Sequence, residues 1–262
     1  MDDIRTMLSM DLILSKAKGP ERRIGIGVAE DREKVQSSAS VAKASKFGEI
    51  KLYTDAEEMV HELRGGNLDA AIRGSLDANS AIRAIKREFA VDHITRMAIL
   101  QPRNGRMFFF APVGIDEGRT VAQKVEMVMA GAALMRRIGV EPKVGILSGG
   151  RKGDEGRDPL VDRSLQEADE VVARVSSSGV EVKHYQILIE EAAQECNMII
   201  APDGISGNLI FRTLHFLGEG KALGAVVLNI DRVFVDTSRA KSSYVDSIAM
   251  ASALVGSGKG SI

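Results

Sequence analysis

From Arg23 to Asp236 the chain alternates short β-rich runs with longer amphipathic runs, and few architectures accommodate that order. "RIGIGVA" (23–29), "IKLY" (50–53), "DAAI" (69–72), "TRMAIL" (95–100) and "MFFFAPV" (107–113) read as strands. So do "KVGIL" (143–147), "VEVKHY" (180–185), "NMIIAP" (197–202), "GAVVLN" (224–229) and "RVFVD" (232–236). Helices are expected over 31–46, 76–89, 119–138, 160–176 and 243–255, with another opened by a capping box of Thr54 and Glu57. A nearly continuous apolar run such as 107–113, including Phe108 to Phe110, suits a strand covered on both faces. The expected class is therefore α/β with largely parallel strands. At 262 residues the chain can form one large domain or two modest ones, and "QPRNGR" (101–106) carries the turn residues of a crossing between them.

Charge and composition exclude several functions. Lys and Arg number 35 against 36 Asp and Glu, so no basic field invites nucleic acid, and the absence of Trp removes a stacking surface. No run of 18 apolar residues occurs, so no membrane span is expected. The acidic start "MDDIRTMLSMDLILSKAKG" does not read as a secretory signal. Cys196 is the one cysteine, which suits a reducing cytoplasm and a packing role. His61, His93, His184 and His215 show no ligand spacing, so no metal site is expected.

Ligands of open α/β sheets bind beyond the carboxyl ends of the strands, and four segments at such positions are unusual. "SGGRKGDEGRD" (148–158) offers glycines with Arg151, Lys152 and Arg157, suiting an anion or a solvated loop of mixed charge. In "APDGISGNLIFRTL" (201–214), Asp203 and Ser206 can cap a helix, Gly204 and Gly207 permit close backbone approach, and Asn208 can donate and accept. A plain turn explains that segment equally well. Ile210, Leu214 and Leu217 of the following helix are expected in the core. "DTSRAKSS" (236–243) sets Ser238 beside Arg239 and Lys241 ahead of a helix, and "IRGSLDANSA" (72–81) places Arg73 and Ser75 at a strand end. "GIGVAEDR" (25–32) has two glycines of a nucleotide-binding G-x-G-x-x-G, but Glu30 stands where the third is needed.

Several segments, in order, resemble the phosphate acetyl/butyryltransferase family. "GVAEDREKV" is similar to its "PEGxDxRV", "LDAAIRGS" to its "ADALVAGA", and "EPKVGILSGGRKG" to its "EPRVAMLSxSTKG". The more specific matches are "APDGISGNLIFRTLHFLGEGKALGAVV" to "FPDLxAGNIxYKLxQRLxxAxAIGPIL" and "VDTSRAKSSYVDSI" to "NDLSRGCSxxDI". The resemblance implies two α/β domains of the isocitrate/isopropylmalate-dehydrogenase type with an interdomain cleft, and a homodimer. It implies a division into 1–104 plus 237–262 and 105–236.

It further implies coenzyme A and a small anionic substrate, with Ser238 and Arg239 at an acyl-transfer centre and Asp246 as the carboxylate that deprotonates the thiol. Lys152, with Arg151 beside it, and Arg73 would meet the anion, while Asp203, Ser206 and Asn208 would shape the cleft floor. Three departures stand out. Ala240 replaces the glycine after Ser-Arg, Lys241 replaces the next cysteine, and an extra residue separates Ser238 from Asp246.

"RNGRMFFFAPVGIDEG", "LSGGRKGDEGRDP" and "PDGISGNLIFRTLHFLGEGKALGA" resemble a methanogen group called methanogenesis marker protein 4, or MtxX. That name implies methyl transfer linked to tetrahydromethanopterin and membership of a methyltransferase complex. Three functions follow as expectations: acyl or phosphoryl-group transfer, methyl transfer or an accessory role in it, and non-catalytic ligand binding or assembly on the same fold.

Overall fold

The structure, a computed structural model, describes residues 7–256, so the first six residues of the acidic start lie outside it. Among the described residues the chain forms two compact units: a terminal unit of 9–94 and 223–256, and a middle unit of 7–8 and 95–222.

The terminal unit contains α1 (Met10–Lys16), β1 (Arg23–Gly27), α2 (Arg32–Ala44), β2 (Glu49–Tyr53), α3 (Ala56–Arg64), β3 (Ala70–Ile72) and α4 (Ala78–Phe89). After the middle unit it resumes with β9 (Lys221–Val227), β10 (Val233–Asp236) and α9 (Val245–Val255). Its strands order as β2-β1-β3-β10-β9, parallel except for β9 against β10. One core joins Met59, Val60 and Leu63 of α3 to Ala71 and Phe234 of the sheet. The α9 helix is buried along nearly its whole length, and Arg22 ties its last turns to α1 by donating to the carbonyls of Ser252 (2.8 Å) and Lys16 (2.9 Å).

The middle unit contains β4 (Arg96–Gln101), β5 (Phe108–Ala111), α5 (Val121–Arg137), β6 (Lys143–Leu147), α6 (Pro159–Ser176), β7 (Glu181–Gln186), α7 (Ile189–Glu195), β8 (Met198–Ile200) and α8 (Gly204–Arg212). Its strands order as β4-β5-β8-β6-β7, with β4 antiparallel to β5 and the other pairs parallel. Phe108, Phe109 and Phe110 are fully buried, as expected of a strand covered on both faces. Cys196 is a buried free thiol, and burial pushes it up from its ordinary pKa.

The chain passes between units at residues 94–95 and 222–223, where the resemblance had put the boundaries at 104–105 and 236–237. Ladder pairing accounts for these places. β4 pairs with β5 in the middle unit, and β10 carries β9 with it in the terminal unit. The capping box expected of Thr54 and Glu57 does not form. Asp55 is the cap instead, its carboxylate accepting from the Glu57 amide at 3.0 Å, because the first helical residue lies one position further on.

Candidate functional site

Parallel β1, β3 and β10 deliver their following loops to one edge of the terminal unit. The glycines let these loops touch. Gly74 has φ +59°, and a Cβ there would lie 2.0 Å from the Gly27 carbonyl oxygen. Arg73 sits beneath them, buried. Its Nε meets Asp236 Oδ1 at 2.5 Å, Nη1 donates to the Leu76 carbonyl at 2.7 Å, and Nη2 donates to the carbonyl of Thr237. The guanidinium thus braces the protein's own backbone. Ser75 is also inward, accepting from the Ala29 amide (2.9 Å) and donating to the Glu30 carbonyl (2.8 Å). This holds the "GIGVAEDR" loop from within, where a dinucleotide motif would turn its amides to a ligand.

Ser238 opens a tight turn above that brace, its Oγ accepting from the Ala240 amide at 3.2 Å. Arg239 follows, exposed, and its guanidinium makes no hydrogen bond or ion pair among the described residues. Its backbone is held by Lys34 of α2, whose Nζ donates to the Arg239 carbonyl at 3.1 Å and to Asp31 Oδ2 at 2.8 Å. The same ammonium lies 5.5 Å from the centre of the buried Tyr244 ring, a cation–π distance. Asp77 caps α4 nearby. Its carboxyl is held below the ordinary range chiefly by the Ser80 amide and hydroxyl, with Arg239 and Arg83 adding to the effect.

Asp246 lies in the first turn of α9. Lys241 is partly buried, with Nζ 3.5 Å from the Leu223 carbonyl oxygen; burial lowers its pKa, and the Asp246 charge opposes that. The cluster therefore brings Ser238 and Arg239 together with Lys34, Asp31 and Asp77, which the sequence reading had not singled out. For Asp31 and Lys34 the signal lay in "AEDREK", which the sequence offers both as a failed nucleotide motif and as part of the family resemblance.

In the middle unit the 148–158 loop follows β6. The protein's own groups take most of its amides: Gly149 donates to Ser164 Oγ (2.8 Å), Arg151 to Asp154 Oδ2 (2.9 Å), Lys152 to Gln186 Oε1 (2.9 Å) and Gly156 to Asp162 Oδ1 (2.8 Å). Arg157 pairs with Asp154 at 2.5 Å. What faces outward is chiefly side-chain charge, from Arg151 and Lys152.

The segment after β8 has a mechanical explanation. Asp203 caps α8, accepting from the Ser206 amide (2.8 Å) and hydroxyl (3.1 Å), while Asn208 Nδ2 donates to the Val113 carbonyl at 2.7 Å. A Cβ at Gly204 would lie 2.0 Å from the Gly114 carbonyl oxygen, and one at Gly207 would lie 2.1 Å from that of Pro112. The close approach is to backbone of the same unit. Beneath it Glu117 is buried on Arg96 (Oε1 to Nε 2.7 Å), with burial raising its pKa against the pull of the guanidinium.

Residues 210, 214 and 217 do not form one inward face. Leu217 is 81% exposed, and Ile210 and Leu214 are only half-buried. Thr213–Leu217 is a π-helical turn, whose wider spacing breaks the expected periodicity. Ile205, Leu209, Phe216 and Leu217 stand outward instead. Among the described residues no group of three or more His, Cys, Asp or Glu could hold a metal ion, and no helix is long and apolar enough to cross a membrane.

This arrangement of strands and loops is the phosphotransacetylase-type α/β fold. EutD phosphotransacetylase from Staphylococcus aureus superposes with a TM-score of 0.73 over 94% of this chain and 98% of that one, at 15% identity. A phosphotransacetylase from Streptococcus pyogenes gives 0.70 over 95% and 98%, at 16% identity. Within that class the chain belongs to the mtx subunit X family. It is 42% identical to the Methanosarcina mazei protein named "Putative methyltransferase mtx subunit X", over 94% of both chains. A phosphate acetyltransferase of Corynebacterium glutamicum is 25% identical over 69% of this chain and 59% of its own length, which relates the two families. No protein-family model matches the chain.

Proposed function

We propose that the protein is a transferase that moves an acyl group between a coenzyme A-type thiol and inorganic phosphate, working at the Ser238–Arg239 turn. The observation that carries this reading is Arg239: an exposed cation whose guanidinium makes no hydrogen bond or ion pair among the described residues, on a turn fixed by Lys34 and Asp31. The thiolate attacks the carbonyl carbon of an acyl phosphate, the carbon–oxygen bond to phosphate breaks, and phosphate leaves as the thioester forms. Arg239 neutralises charge on the carbonyl or phosphate oxygens, Ser238 offers a hydroxyl beside it, and Asp246 takes the thiol proton. Arg151 and Lys152 attract an anion to their own loop.

Relatives named as methyltransferase subunits favour a second reading, methyl transfer within a complex. The outward apolar side chains of α8 and its π turn support pairing of two copies. Thermal stabilisation by coenzyme A, acetyl phosphate, phosphate and S-adenosylmethionine discriminates the readings, because a ligand of the native state raises the Tm by mass action. A shift with coenzyme A or acetyl phosphate, lost in Arg239→Ala, is expected. A shift with S-adenosylmethionine alone would replace acyl transfer with methyl transfer, and silence throughout would leave a partner-dependent or non-catalytic protein.

A further inference from the structure

Away from the Arg239 turn, three elements of the middle unit assemble a Ser–His–Asp chain that no sequence spacing announced. Ser148 follows β6 and is almost fully buried, His184 lies on β7, and Asp169 lies on α6. His184 Nδ1 is 2.7 Å from Asp169 Oδ1, and Nε2 is 2.9 Å from Ser148 Oγ. Ser148 Oγ in turn donates to the Gly150 carbonyl at 3.0 Å. Asp169 also faces the loop, its Oδ2 lying 3.8 Å from Lys152 Nζ.

The outline is that of a nucleophilic relay, yet the count of hydrogens assigns it another role. A relay serine directs its hydroxyl hydrogen to a neutral imidazole. Here that hydrogen is on Gly150, so Nε2 must carry a hydrogen of its own, and Nδ1 needs another to meet the Asp169 carboxylate. All three contacts coexist only in the imidazolium. In neutral His184 the Asp169 carboxylate keeps the remaining hydrogen on Nδ1, so the Ser148 hydroxyl turns to Nε2 and releases the Gly150 carbonyl, which loosens the turn leading to Arg151 and Lys152.

We propose that His184 and Asp169 are a proton-dependent positioning pair for the 148–152 loop. An oxyanion of the sulfate or phosphate class binds Arg151 and Lys152 more tightly when His184 is protonated. This rests on the reading of that loop as an anion site. Two effects act together. The charged imidazole fixes the turn, and by satisfying Asp169 it weakens that carboxylate's hold on Lys152. Of the surrounding charges, the Asp169 carboxylate in direct contact favours the imidazolium, and the more distant Lys152 ammonium opposes it. From α6 the group facing His184 is Asp169, from the loop it is Lys152, and along the strands the neighbours are neutral Ile146 and Gln186. On the other face of β7, towards α7, Lys183 and Tyr185 are both engaged by Glu195.

The test uses the full chain and two readouts. Amide exchange of 148–153, corrected for intrinsic rate, is compared between about pH 5.5 and about pH 8.5. Protection should fall at the higher pH in the wild type and stay constant in His184→Gln. Sulfate, whose charge is constant over that range, is titrated calorimetrically in parallel. Its affinity should fall about fivefold or more with rising pH, a coupling of ordinary size, and His184→Gln should abolish the dependence. Exchange that is pH-independent in the wild type overturns the proposal, as does covalent labelling of Ser148 by a fluorophosphonate at about pH 5.5, where the proposal keeps the hydroxyl on Gly150 and off the imidazole. Sulfate binding that survives Arg151→Ala/Lys152→Ala refutes the anion reading of the loop, even where exchange shows the proton-dependent turn.

Discussion

Arg73 and Arg239 show why residue type alone does not identify a ligand-binding cation. Both follow or lie near a strand end, and both were candidates for meeting an anion. Arg73 is consumed by Asp236 and two carbonyls, whereas Arg239 projects its guanidinium outward. Arg73→Met should therefore act on stability, costing about 3–5 kcal/mol in chemical denaturation by taking the cation from a buried pair. Lys241 gives a pH-dependent case. Its folded pKa is depressed by burial, so the unfolded state binds the proton more tightly, and stability rises with pH towards the ordinary value of 10.5. Lys241→Met should raise the Tm at neutral pH, and its advantage over the wild type should shrink as pH approaches 10.5. Paired melting curves across that range check the sign.

Elements were legible where their cause is local. Short β-rich runs such as 143–147 became strands at almost the expected residues, because apolar pattern and flanking turn residues agree. The helix after residue 203 was legible as a helix but not in its orientation. Its buried face is made by Gly204 and Gly207 against the 112–114 backbone, and the exposed Phe216 and Leu217 lie in the π turn that follows. No periodicity in "GISGNLIFRTLHFL" reports a contact with a loop ninety residues earlier in the chain. Gly207→Ala should cost about 1–3 kcal/mol, since a carbonyl oxygen, not a flexible side chain, occupies the space. A denaturation midpoint equal to wild type would show that α8 does not pack as described. The Lys34–Arg239 and Ser148–His184–Asp169 groups were hidden for the same reason: their members come from different elements and meet only after folding.

At the scale of the whole molecule, the order of the motifs pointed to the phosphotransacetylase-type fold, and superposition bears that out over nearly the full chain. Chemistry does not follow from fold. Ile205, Leu209, Phe216 and Leu217 are exposed apolar side chains of α8 and its π turn. If two copies pair there, Leu209→Glu/Leu217→Glu should elute as a monomer by light scattering while the wild type elutes as a dimer. One assay tests the role of Arg239 directly: formation of acetyl phosphate from acetyl-CoA and phosphate. Product formation by the wild type, reduced about 100-fold or more in Arg239→Ala at unchanged Tm, is the predicted result, the loss being that of one charge-stabilising group at the transition state. Equal turnover by the two proteins, or none by a wild type that binds both substrates, would contradict the account.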